Sequence, residues 1–556
     1  MRTLRPRLSS GLKKDLWIFP ALVVGTFIRL FHLSSQIIGG DEMHTVSTAL
    51  RRPLGWILTH YVSTDNCIPL TAFYRIQLDL GIRFSEMTFR LPLLILGIAF
   101  LIIVPLVLKD KIGRRPAIFL SWMIALAPLP VFYSRMVRPY AVTLLLSFGA
   151  VMCFFNWLSK RTLSAGVAYA VLSALSLYFH LSTAPFVLAP LAFFLIESII
   201  RKDRDHRRYT AFLVISALTA GLTILILSPA LPSLITFVTE KSMRSSVGLT
   251  AIKGFFHLFS GTSRLILTMA FWALCIWGFV RLALKRTRFA LYCLFLTAIQ
   301  ITAIFVVSPH GISAPLVFSR YALVILPFVL SWLAFGLAEP WWKNQEKTGG
   351  LVQTSMAVIF ILVLLLTGPL GSPRYFAGSF AHHTRHLEFY SAPIAGPNGD
   401  IPDFYKKLKE MPSGALIEYP WSWIWLRSNV FPAYQNVHRR EVIVSGVNFL
   451  SADERVRFRN HIPMSPESFL SSRARFIIVH QDLIRDEEKL YPGLKYLMDF
   501  DIKRVWAQMR RLGADMSDRL QRLWGAPVYR DRFIRVWDLE EARDRQKRRA
   551  QGDGLN

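Results

Sequence analysis

Apolar runs near the length of a bilayer-crossing helix recur along the first 370 residues, and no other feature restricts the fold of this chain so strongly. Such a helix needs about 20 mostly apolar residues. In lipid it must also satisfy its own backbone N–H and C=O groups, which selects helices. The runs fall near residues 15–33, 89–108, 116–133, 139–158, 163–179, 182–200, 209–228, 264–284, 289–308, 321–338 and 351–370. They predict a mainly α, polytopic membrane protein of about 11 transmembrane helices. A composition of 53% hydrophobic and 18% charged residues, with mean hydropathy +0.37, excludes an ordinary soluble globule. The first run has no short apolar region with a small-residue cleavage site after it, so it is expected to stay as an uncleaved first helix.

The chain carries 65 Lys+Arg against 36 Asp+Glu, a formal charge of +29 that taken alone would suggest a nucleic-acid binder. The placement of the cations argues otherwise. Arg2, Arg5, Arg7, Lys13 and Lys14 precede the first run, and Lys109, Lys111, Arg114 and Arg115 follow the second. Lys160 and Arg161, Arg201 to Arg208, Lys285 to Arg288, and Lys343 and Lys347 continue the series on the same side. This is the distribution that orients membrane proteins with their basic loops in the cytoplasm. Segments 34–88, 134–138, 229–263, 309–320 and 371–556 then face outward, which in a bacterium means the periplasmic side of the inner membrane. Four cysteines, three of them inside apolar runs, imply no disulfide framework.

Two domains are expected: 1–370, with the first outer loop at 34–88, and a C-terminal soluble α/β domain over 371–556. The second has β-rich stretches at 415–419, 441–444 and 475–479, a helix from Pro402 to Glu410 and a terminal hairpin around Arg530-Asp531. It has no Gly-rich phosphate loop, so no nucleotide chemistry is assigned to it. The charged tail from Glu540 is expected to fray. In the first outer loop Val46, Leu50, Leu54 and Ile57 lie near helical spacing, predicting an interfacial amphipathic helix interrupted near Pro53.

Ionisable residues near membrane depth are costly to bury and so mark function. On the outer side they are Asp41, Glu42, His44 and Asp65 in the first loop, Arg135, Arg138 and Tyr140 in the next, His180 between the fifth and sixth runs, and Arg320 and Tyr321 before the tenth. Carboxylates facing guanidinium groups and phenols would suit a phosphate-linked leaving group. A carboxylate accepts the proton of an attacking hydroxyl, and arginine presents a planar fork that matches phosphate oxygens. Other readings stay open. Asp41 could cap the helix that follows it, and each arginine could snorkel. A divalent metal at Asp41, Glu42 and His44 ranks lower, because adjacent carboxylates rarely point at one ion. His382, His383 and His386 have chelating spacing but read as a solvated linker.

These segments resemble the GT-C superfamily of integral-membrane glycosyltransferases, in the bacterial branch related to protein O-mannosyltransferases and aminoarabinose transferases. Gly40-Asp41-Glu42 is similar to the acidic motif of the first periplasmic loop, and Thr64 to Leu70 to an Asp-x-His-Pro-Pro-Leu segment. Phe89-Arg90-Leu91-Pro92 resembles the Arg-Leu-Pro that opens the second span, and Ser134 to Tyr140 a Ser-x-x-x-Arg-x-Tyr stretch. Leu177-Tyr178-Phe179-His180 and Arg320-Tyr321 to Pro327 resemble two further signatures. The chain departs from the pattern at Cys67-Ile68-Pro69 and at Met136.

The resemblance implies the GT-C fold and inverting transfer from a polyprenyl-phosphate sugar to a hydroxyl on a lipid, glycan or protein. Asp41 would be the general base and Glu42 its orienting neighbour. Arg138, Arg320 and Arg135, helped by Tyr140 and Tyr321, would hold the donor phosphate, with Asp65, His180 and His44 toward the sugar or acceptor. No cofactor follows firmly. A glycolipid flippase or a non-catalytic envelope assembly protein are the alternatives, although the chain shows no internal duplication of the kind common in transporters.

Overall fold

In the computed structural model, residues 16–31, 33, 42–61, 67–82, 86–202, 205–241, 247–309, 311–339, 347–371, 402–408, 410–420, 440, 465–472, 474–481 and 502–552 are described. The chain begins with α1 (Phe19–Leu30), followed by short helices α2 (Glu42–Arg51), α3 (Leu54–Thr59) and α4 (Ile68–Asp79). Next come α5 (Glu86–Ile112), α6 (Arg114–Leu126), α7 (Pro128–Ser134), α8 (Tyr140–Lys160), α9 (Leu163–Phe179), α10 (Ala184–Ile200) and α11 (His206–Leu227). The series continues with α12 (Leu231–Lys241), α13 (Leu249–Ser260), α14 (Leu265–Lys285), α15 (Thr287–Val307), α16 (Pro315–Tyr321), α17 (Leu326–Ala338) and α18 (Lys347–Thr367).

Every one of the eleven apolar runs coincides with a helix or a bent helix pair. Among the described residues six helices are long and apolar enough to cross a membrane, or eight if each bent pair counts as one span. The runs at 15–33, 163–179 and 351–370 fall instead on apolar helices of 10–17 residues. Large apolar side chains such as Phe27, Ile95, Ile224 and Ile266 stand exposed on the helices, as lipid contact requires and water contact would penalise. The chain is a multi-pass membrane protein.

Small residues let the helices close on one another, a device suited to lipid, where burial of apolar surface drives little association. Gly278 on α14 and Gly336 on α17 face each other across a crossing. A Cβ at Gly278 would stand 1.8 Å from the Trp332 carbonyl oxygen, and one at Gly336 would stand 2.4 Å from that of Leu274. Either substitution would drive the helices apart.

Two bends place polar chain within the apolar bundle. α6 and α7 meet at 55° at Ala127-Pro128, and α16 turns by 56° into the segment Leu323–Ala338. Prolines open the second arm of the first bend and lie at 327 in the second, where the missing N–H and fixed φ favour a break.

The expected loop helix is present as two pieces, α2 and α3, with Pro53 capping the second. Val46 and Ile57 are buried as the spacing predicts, but Leu50 is exposed.

Farther along the chain, α19 (Asp403–Lys407), β1 (Ala415–Tyr419), α20 (Pro466–Ser471), β2 (Ala474–His480), α21 (Ile502–Trp524), β3 (Tyr529–Arg530), β4 (Ile534–Asp538) and α22 (Leu539–Gly552) build an α/β unit. Its strand order is β1-β2-β4-β3, with β1 and β2 parallel and the other pairs antiparallel. Two of the three expected strands are β1 and β2, while 441–444 lies outside the described residues. The hairpin turns where predicted, with one Asp531 oxygen accepting from the N–H groups of Phe533 and Ile534, both at 2.7 Å.

From Glu540 to Gly552 the tail is helical rather than frayed. It is α22, started by Asp538 accepting from the Glu540 N–H at 2.8 Å and tied to the sheet by Arg543, which donates to the carbonyls of Leu470, Ser472 and Ala474. Charge alone suggested a solvated end; acids in the first turn and an arginine reaching back make it a capped helix.

Candidate active site

Polar residues gather at two opposite ends of the helices. At one end Glu197, near the end of α10, is gripped by Arg288, whose Nε and Nη2 each stand 2.7 Å from a carboxylate oxygen, with Arg201 at 3.2 Å and Arg208 at 3.5 Å. Arg161 pairs with Asp205 at 2.6 Å, and Lys285 with Glu339 at 2.5 Å. All of these belong to the loops whose basic excess defines the expected cytoplasmic face.

The other end holds the candidate site. Arg90, in the second turn of α5, donates from Nε and Nη2 to Glu42 Oε1 and Oε2 at 3.0 and 2.6 Å. Both residues are buried. Glu42 Oε1 also accepts from the Val137 N–H at 2.8 Å. The start of α2, the opening of α5 and the α7–α8 connection are thereby joined at one carboxylate. A carboxylate so fully engaged has little capacity left as a proton acceptor or metal ligand. Among the described residues no group of three metal-capable side chains occurs.

Downstream of this joint, Arg138 donates to Thr45 Oγ1 at 3.4 Å. Its guanidinium carbon stands 5.9 Å from the centroid of the Tyr140 ring, at the start of α8. Arg320, from the end of α16, stands 5.5 Å from that ring and 5.9 Å from the ring of Tyr321. The His180 ring lies 5.7 Å from Tyr140 and 6.1 Å from Tyr321. Residues more than 180 positions apart in the chain therefore surround one aromatic ring. Each comes from a place where a helix starts, stops or bends.

His180 itself is oriented. Its Nδ1 accepts from the Ser182 N–H at 3.4 Å and lies 2.6 Å from the Ser182 hydroxyl, so the neutral ring carries its proton at Nε2.

Arg135 reaches back to α1. Its Nη1 donates to the carbonyls of Ile28, Arg29 and Phe31 at 2.9, 3.2 and 2.7 Å. Those are the orphan acceptors at the C-terminal end of α1. In return, Arg29 donates to the carbonyls of Ile124 and Ala125 at the end of α6, at 3.1 and 3.4 Å. Arg135 thus caps α1, and Arg29 of α1 caps α6.

His44 is buried on α2, and its carbonyl accepts from Thr48 at 2.9 Å. Asp41 and Asp65 lie outside the described residues, as do His382, His383 and His386. Two residues given no role from sequence matter here: Arg90, which holds Glu42, and Gln300 on α15, whose amide reaches the carbonyls of Ser182 and Tyr321. The available signal for Gln300 was an amide inside an apolar helix, where burial demands partners.

Among solved structures the chain is similar to ArnT from Cupriavidus metallidurans in the apo state, with TM-score 0.53 and 12% identity over 95% of this chain and 98% of that one. ArnT bound to undecaprenyl phosphate gives 0.46 at 12% over 94% and 97%. The Archaeoglobus fulgidus oligosaccharyltransferase complexed with Zn and sulfate gives 0.47 at 12% over 94% and 73%. No family model matches the sequence, and no curated protein does. The likeness to apo ArnT establishes the fold, a GT-C fold.

Proposed function

We propose that this GT-C chain is an inverting glycosyltransferase that moves a sugar from a polyprenyl-phosphate donor to a hydroxyl acceptor at the outer face of the bacterial inner membrane. The observation that carries the reading is the meeting of Arg138 and Arg320 over the Tyr140 ring. Two guanidinium groups brought to one ring at the end of an apolar bundle offer a phosphate two planar donor forks. A phosphate on a lipid fits both that charge and the surrounding membrane helices. The ArnT structure with undecaprenyl phosphate is in keeping with such a donor.

In the proposed reaction the acceptor oxygen attacks the anomeric carbon from the side opposite the phosphate. Its proton passes to Asp41, and the bond from anomeric carbon to phosphate oxygen breaks. Negative charge grows on the leaving phosphate, where Arg138 and Arg320 would stabilise it more strongly than in the ground state. Glu42 does not take the proton in this scheme. Locked by Arg90, it anchors the chain immediately after Asp41.

The test uses purified protein in lipid nanodiscs with a radiolabelled polyprenyl-phosphate sugar and extracted envelope acceptors. Label appearing in a new covalent product supports the reading. Unchanged donor crossing between leaflets of proteoliposomes, with no product in either format, would replace it with transport.

A further inference from the structure

Gln300 is the only amide side chain in α15, and it is 1% exposed. Its Nε2 donates to the Ser182 carbonyl at 3.1 Å and to the Tyr321 carbonyl at 2.8 Å. These two acceptors lie in separate breaks of the bundle. Ser182 occupies the single 3₁₀ turn Leu181–Thr183 after His180, and Tyr321 ends α16 just before the chain bends.

Past the bend, the Ile325 N–H donates to the Ala322 carbonyl at 3.1 Å, in a 3₁₀ turn over Leu323–Ile325. Both partners of Gln300 are carbonyls, which fixes the amide with nitrogen toward them. A flipped amide would set oxygen against two oxygens.

The connection reaches the site on both sides. Ser182 orients His180 through Nδ1, and Tyr321 is covalently next to Arg320, with its ring 6.1 Å from that of His180. We propose that Gln300 is a positioning residue for transfer: by tying the two breaks together it sets the separation of His180 from Arg320, so that both address the same bound donor. This rests on the glycosyl-transfer reading of the site.

Substitution by Glu keeps the shape and changes only the donors. As a carboxylate it faces both carbonyls with negative charge and pushes the breaks apart; protonated, it regains one donor. Dividing each Gln300→Glu rate by the wild-type rate at the same pH removes titrations common to both.

The experiment measures sugar transfer by wild type, Gln300→Glu and Gln300→Leu from pH 5.5 to 8.5, with hydrogen exchange of peptides spanning 181–186 and 321–326. The expected result is a loss in kcat/KM on the order of 10²-fold for Gln300→Leu at all pH, since displacing reacting groups by about 1 Å costs that much. Gln300→Glu should recover toward wild type as pH falls, and exchange in both turns should rise in Gln300→Leu while other helices stay protected. Wild-type activity in both variants, or a Gln300→Glu ratio flat with pH, would overturn the proposal. So would exchange unchanged in both turns. If wild type transfers no sugar, the glycosyl-transfer reading falls and the positioning role with it; the exchange result separates that failure from a failure of the tie.

Discussion

Arg90 and Glu42 form a buried two-point ion pair, and the same carboxylate accepts the Val137 N–H. Three segments distant in sequence meet at it. Removing one partner strands the other charge without water, a cost of about 3–5 kcal/mol for buried pairs. Glu42→Ala and Arg90→Ala should each lower thermal stability in detergent by that order, and the double variant should be less damaging than the sum. Thermal unfolding of the four proteins in a mutant cycle checks this. Additive effects would mean that the pair is not coupled.

Arg135 and Arg138 stand three residues apart and are expected to behave differently. Arg135→Ala removes the cap on α1, costing about 1–3 kcal/mol for the stranded acceptors. Its effect should appear in melting temperature, with the KM for donor unchanged in the folded fraction. Donor titration alongside thermal unfolding reads both quantities, and a raised KM at unchanged stability would return Arg135 to the phosphate site.

For Arg138→Gln and Arg320→Gln the opposite pattern is expected. Each keeps some hydrogen-bonding capacity but loses the charge over Tyr140. Transfer should fall on the order of 10²–10³-fold, the scale on which deleting one transition-state donor acts. Tyr140→Phe, which keeps the ring, should be milder than Tyr140→Ala. Initial rates at saturating acceptor are the measurement, and a rate within twofold of wild type in both arginine variants would remove them from the chemistry.

In the C-terminal unit, Glu418 on β1 is wholly buried and lies 2.6 Å from His480 Nε2, with the Tyr405 hydroxyl donating to it at 2.9 Å. Burial raises its carboxyl above the usual carboxylate range, although His480 and Tyr405 oppose the shift. A carboxyl whose folded pKa is raised favours the native state while protonated. That stability is fully present below pH 4.5 and declines as pH rises through the folded value. Protection of the β1 and β2 amides should therefore weaken over that window, and Glu418→Gln should flatten the dependence. Hydrogen exchange as a function of pH tests it; protection that increases with pH would contradict the sign.

The helices were legible in sequence because apolar length and basic loops are local properties. The choice among Arg135, Arg138 and Arg320 was not. Which of them faces Tyr140 depends on the bends at Ala127-Pro128 and after Tyr321, and periodicity carries no record of either. Glu42 shows the same limit. Its neighbour Asp41 looks identical in charge, yet only the fold reveals that Arg90, 48 residues away, has claimed Glu42. The tail after Glu540 misled for a related reason, since Arg543 finds its acceptors at Leu470, Ser472 and Ala474, 69 to 73 residues upstream.

The most direct test of the central claim is sugar transfer by Asp41→Asn, measured beside equilibrium binding of the polyprenyl-phosphate donor to the same preparation. With Arg138 and Arg320 intact, donor affinity should stay within about twofold, while loss of the base should lower transfer by about 10²–10⁴-fold. Full transfer by Asp41→Asn would contradict the assignment of the base, and with it the division of labour between Asp41 and the Glu42 that Arg90 holds.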